Sequence, residues 1–220
     1  MKAIENSRIC LLSLNRLACV IIVCGVLQFV VLTFAAAILY PGRFDFVQYQ
    51  LSELGAVIAR NGELNTLSSI MFSIALTTIA LALVPFWLVT ASLFSKSRLE
   101  RALSKLGSAL GLISSPFMIG VAFTPIDVQL NNHFTMWLLF FPLFTAASLL
   151  YSIASLSRRR YPLHIGLFGL TLFVIVLAVL VDPLAPTTAF LQKVLLYGYF
   201  IWVIITTHLF WAKAINLKRL

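Results

Sequence analysis

The stretch LACVIIVCGVLQFVVLTFAAAIL, residues 17–39, contains no charged side chain. A bilayer-crossing helix needs about 20 apolar residues, so this segment is long enough to span. Its apolar residues run continuously rather than alternating, which does not read as a barrel strand. Five further runs follow, at about 64–94, 106–123, 134–156, 163–181 and 190–211. The second is long enough to tilt or to extend past the bilayer. The expected fold is all-α: a polytopic membrane protein, one domain over residues 1–220, folded as a six-transmembrane-helix bundle. The gap at 40–63 is too short for a soluble domain. The chain is 61% hydrophobic and 10% charged, against about 25% charged in soluble domains.

Residues 35–37, three alanines, resemble a small-residue cleavage site. The apolar run before them is longer than the roughly 7–15 residues of a signal-peptide core, so the segment is expected to stay as a spanning helix. Cys10, Cys19 and Cys24 sit at or within this first segment and none is in an outer loop, so no disulfide framework is expected.

The net charge of +9 is unevenly placed. Lys2, Arg8 and Arg16 precede the first run. Lys96, Arg98, Arg101 and Lys105 lie between the second and third, Arg158, Arg159 and Arg160 between the fourth and fifth, and Lys213, Lys218 and Arg219 after the sixth. Thirteen of the sixteen basic residues thus share one side, leaving Arg43, Arg60 and Lys193 on the other. The positive-inside rule makes the first side cytoplasmic and places both termini there, in an inner or plasma membrane. That pattern accounts for the charge without a nucleic-acid partner. Membrane lipids are the expected partners, and protein partners are not indicated. Trp211, beside Lys213, is expected to anchor at the cytoplasmic interface.

Five of the seven acids (Asp45, Glu53, Glu63, Asp127 and Asp182) fall on the outer side. Glu53 sits in YQLSELGAVIARNG, where the spacing of Leu51, Leu54, Val57 and Ile58 suggests a short helix at the interface. Asp127 sits in FTPIDVQLNNHF, where Asn131 or Asn132 is placed to cap the fourth helix. His133 would then occupy its first turn, where the helix dipole favours neutral imidazole. Two readings stay open. In one, these residues only close and solvate turns. In the other, Ser52, Glu53, Asn65, Asp127, Asn132 and His133 form an outward-facing polar pocket.

The same residues carry a resemblance. SELGA at 52–56, followed by Asn65 and an apolar helix, resembles the domain of unknown function 998 family of membrane proteins. So does a third helix ending in Gly120 and FTPID, with His133 opening the fourth. The resemblance spans roughly residues 20–210. It implies six helices, no assigned activity, and marked positions at Ser52, Glu53, Gly55, Asn65, Asp127 and His133.

Other chemistries find little material. At roughly 1.5 Å per helical residue, His208 lies about 24 Å deeper than Gln192, so His133, His164 and His208 cannot share a zinc ion. A site of Glu53, Asp127 and His133 is not excluded in this way. No cofactor motif is present. Ser114 and Ser115 precede Pro116, where hydroxyls usually satisfy carbonyls freed by a proline. Gly107 and Gly111 permit close helix contact. Ion transport lacks an ionisable residue near the midplane. The pairs Pro41 and Asp45, Pro125 and Asp127, and Asp182 and Pro183 are compatible with a repeated hairpin or with ordinary turn chemistry.

Three roles remain: binding or handling a lipid-like amphiphile, an enzyme acting on such a molecule (with Glu53 or Asp127 as base), or a structural subunit of a membrane complex. A polar cavity on the outer side favours the first two. A flat surface favours the third.

Overall fold

The computed structural model describes residues 2–91, 94, 97–157, 162–181 and 186–216. It contains six helices, α1 (Lys2–Leu39), α2 (Thr66–Thr90), α3 (Arg98–Phe123), α4 (Leu130–Leu156), α5 (Leu163–Val181) and α6 (Pro186–Asn216). A 3-10 helix, Leu51–Gly55, lies between α1 and α2 and is called the strap below. Each of the six helices holds a segment long and apolar enough to cross a membrane. Among the described residues the only β pairing is an isolated bridge between Ile58 and Leu64. The chain is a multi-pass, all-α membrane protein.

The spans differ from hydropathy mainly at their ends. α5 matches the expected boundaries, but α1, α3, α4 and α6 run on into polar sequence. Intramolecular backbone hydrogen bonding does not stop where apolar composition does. α3 begins at Arg98 because Ser97 caps it, its Oγ accepting the Glu100 N–H at 3.0 Å. α4 begins at Leu130 with Gln129 at its N-cap, so Asn131 and Asn132 lie inside its first turn and neither caps it. The clusters at 158–160 and 218–219, Lys96, and the pair Asp182 and Pro183 lie outside the described residues.

Packing is that of a membrane bundle. On α3 the buried positions include Ser104, Gly107, Ser108, Gly111, Ser114 and Ser115, while Leu106 and Ile113 are exposed. Small residues inward and large aliphatics outward let helix backbones approach closely where lipid, not water, surrounds the bundle. A Cβ on Gly111 would stand 2.2 Å from Trp87 Cδ2, and one on Gly107 3.0 Å from Tyr151 Cε2. These glycines thus receive α2 and α4 respectively. Ser114 and Ser115 both donate to the Gly111 carbonyl, at 2.7 and 3.2 Å, rather than to the Leu112 carbonyl that Pro116 frees.

Each helix packs on its neighbour in sequence, and α6 closes back onto α1. At the terminal end, the Arg16 guanidinium lies 5.8 Å from the ring centre of Trp211. Inside the ring, α2, α4 and α6 meet through aromatic side chains. Trp87 contacts Phe144 and Tyr151, Phe86 contacts Trp202, and Phe144 contacts Tyr199, with centroids 4.8–6.2 Å apart. The tyrosine hydroxyls find partners within this core: Tyr151 Oη donates to the Ser104 carbonyl at 2.9 Å, and Thr145 Oγ1 pairs with Tyr199 Oη at 2.7 Å.

Candidate functional site

The loop from α1 to α2 packs into the helix bundle. The strap is buried along its whole length, with Leu51 and Leu54 essentially inaccessible, so its apolar face points into the bundle. Gly55 makes this approach possible, since a Cβ there would sit 2.6 Å from Phe72 Cδ1. Asn65 Nδ2 donates to the carbonyls of Leu54 and Ala56 at 3.0 and 2.9 Å, and Ser68 Oγ donates to Leu54 at 3.1 Å. On the far side, Gln192 Oε1 accepts the Leu51 N–H at 3.1 Å. Lys193 Nζ donates to the carbonyls of Tyr49 and Ala189. Asn65, Ser68 of α2 and Gln192 of α6 therefore grip the strap through its backbone, and Lys193 holds the segment just before it.

Glu53 faces the other way. Its Oε2 accepts Arg60 Nε at 2.5 Å, while Oε1 accepts Arg60 Nη2 at 2.7 Å and the Gln50 N–H at 3.0 Å. The Arg60 guanidinium lies 4.2 Å over the Tyr49 ring, and the Arg60 N–H donates to Tyr40 Oη at 3.0 Å. The Glu53 hydrogen bond holds the Arg60 guanidinium even more firmly protonated than usual. Burial pushes the Tyr40 phenol up, partly offset by the Arg60 N–H. Asp45, part-exposed, is held below the usual carboxylate range by the N–H groups of Gln48 and Val47.

Asp127, from the α3–α4 turn, reaches across to this loop. Its carboxylate accepts the Val57 N–H at 3.0 Å and the Ile58 N–H at 2.8 Å. Two turns some seventy residues apart in sequence are thereby tied together. Asp45 instead closes its own turn, so the two Pro-Asp tips work differently.

Between the loop, the α3–α4 turn and the start of α6 lies an open cleft of about 1310 Å³. Glu53, Arg60, Gln50 and Asp127 provide its polar lining, while Val47, Ile58, Ile126, Phe190 and Leu191 provide apolar wall. Of the six candidate residues, Glu53 and Asp127 line this cleft. Ser52 and Asn65 are buried beneath it. His133 is buried in the α3–α4 hairpin, its Nδ1 2.6 Å from the Thr124 carbonyl, where it holds the end of α3. Asn132 is exposed, donating to Gln129 Oε1 at 3.3 Å. Glu53, Asp127 and His133 do not converge, and among the described residues no three His, Cys, Asp or Glu side chains are grouped to hold a metal.

Gln192, which anchors the strap, and Lys193, which anchors the segment just before it, are not singled out as site residues by the sequence reading. Their signal was a charged and an amide residue side by side inside the sixth apolar run. Comparison with known proteins finds no matching family model, no matching curated protein and no matching solved structure.

Proposed function

We propose that this protein binds or handles a lipid-like amphiphile through the loop-end cleft, with that end facing outward from an inner or plasma membrane and both termini in the cytoplasm. The observation that carries this reading is a cleft of about 1310 Å³ in which an ion pair and amide groups adjoin an aliphatic and aromatic wall. Small-molecule sites usually measure about 300–1000 Å³, so a polar head with part of a chain has room. The orientation rests on the basic residues crowding the opposite side of the helices. Membership of the domain of unknown function 998 family is proposed on SELGA, Asn65, FTPID and His133.

Binding is favoured over catalysis by the state of the two acids. Both Glu53 oxygens are engaged by Arg60, and Asp127 is engaged by backbone N–H groups, so neither is disposed as a free general base. A cleft, rather than a flat surface, favours ligand handling over a purely structural subunit.

Val47 and Ile58 line the cleft and are themselves well exposed. Val47→Trp and Ile58→Trp should therefore narrow it without disturbing the core. Native mass spectrometry of the purified protein should show one retained amphiphile per wild-type chain and loss of it in these variants. Equal retention in wild type and both variants would sink the proposal.

A further inference from the structure

The strap separates two spaces. Glu53 lines the cleft, whereas its neighbours Leu51 and Ser52 line a small interior cavity of about 30 Å³ between the strap, α2, α3, α4 and α6. Most of that wall is apolar, with Phe72, Met118 and Phe141 among it. Three polar side chains interrupt it: Ser52 from the strap, Trp137 from α4 and Gln192 from α6. All three residues are more than nine-tenths buried. Ser52 Oγ and Trp137 Nε1 are both shielded from solvent with no hydrogen-bond partner in the protein.

Two buried orphan polar atoms on one cavity are unusual, because each unsatisfied group costs about 1–3 kcal/mol. The cavity's volume exceeds the roughly 10–15 Å³ that a water molecule requires, and a water there needs two to four polar partners. An apolar guest would leave both orphans unpaired. The donor and acceptor inventory closes for water. An indole N–H can only donate, and a serine hydroxyl can do either. Gln192 Oε1, which already accepts the Leu51 N–H, retains a second lone pair.

We propose that this cavity is a water site. One ordered molecule accepts from Trp137 Nε1–H and donates to Ser52 Oγ and to Gln192 Oε1. It pins the strap to α4 and α6 at once and so fixes the height of the cleft floor that Glu53 stands on. This gives Ser52 a role that does not depend on what the cleft binds.

The test is a water-to-indole cross-relaxation measurement on ¹⁵N-tryptophan-labelled protein in detergent, with the Trp137 resonance assigned by Trp137→Phe. Wild type should show a long-lived water cross-peak at Trp137 Nε1–H. Ser52→Val, which puts a methyl group where the hydroxyl was, should abolish it while leaving the resonance in place. A resolved Trp137 signal without a water cross-peak, or one unchanged in Ser52→Val, would overturn the proposal. If Ser52→Val fails to fold, a wild-type density map that shows ordered water decides the matter. A peak within hydrogen-bonding distance of Ser52 Oγ and Trp137 Nε1 supports the site. Its absence, with both side chains resolved, refutes it.

Discussion

Glu53 grips Arg60 through two parallel hydrogen bonds of 2.5 and 2.7 Å, with the carboxylate side chain 11% exposed and the guanidinium side chain 54% exposed. The asymmetry in exposure sets the expected cost of breaking the pair. Glu53→Gln loses the charge-assisted bonds from a nearly buried position and should destabilise by about 1–3 kcal/mol. Arg60→Lys keeps the charge but not the two-pronged geometry, and solvent screens its exposed end, so it should cost less. Thermal unfolding of the two variants in the same detergent checks the order. An equal or reversed order would show that the pair does not hold the loop.

Asp127 acts on backbone. Asp127→Ala leaves the N–H groups of Val57 and Ile58 without their acceptor, but in an exposed setting where water replaces it in part, so the cost should be about 1 kcal/mol. Hydrogen exchange of those two amides should accelerate while that of the α2 core does not. Unchanged protection at Val57 and Ile58 would mean that the tie between the turns is not formed.

The bundle is legible in sequence and the site only in part, for physical reasons that particular residues show. Spans such as α5 follow from composition alone, because any helix in lipid must present an apolar surface. The burial of the strap is not legible in sequence, because Leu51 and Leu54 look the same whether they face lipid or protein. Whether they turn inward depends on Gly55 meeting Phe72 and on Gln192 holding Leu51, contacts that local periodicity does not encode. Glu53 and Asp127 were singled out as acids near apolar runs, and both line the cleft. His133, a candidate as a neutral imidazole in the first turn of α4, instead bonds the Thr124 carbonyl inside its own hairpin, a local use that its spacing from Asp127 does not reveal.

The close approach at Gly111 gives a packing prediction. Gly111→Ala would drive a methyl group into the rigid, fully buried Trp87 indole, whereas Gly107→Ala meets the Tyr151 ring at a distance that a few tenths of an ångström relieves. Overpacking typically costs about 1–3 kcal/mol. Gly111→Ala should fall at the upper end of that range and Gly107→Ala at the lower. Equal melting temperatures for the two would contradict the α2–α3 contact described above.

Orientation is checked separately. Reporter fusions at both termini should read cytoplasm, and a tag inserted at the exposed Asn61 should be reachable from outside intact cells. An external signal from either terminus would overturn the proposed orientation and, if only one terminus gave it, the even number of crossings as well.

Occupancy of the loop-end cleft is the point on which the functional proposal stands or falls. The most direct measurement is a high-resolution density map of the protein in nanodiscs made from its native lipids. The predicted result is elongated density in the cleft, its polar end at the Arg60–Glu53 pair and its apolar end along Ile58 and Phe190. A map in which these side chains are well resolved and the cleft holds only disordered solvent would contradict it.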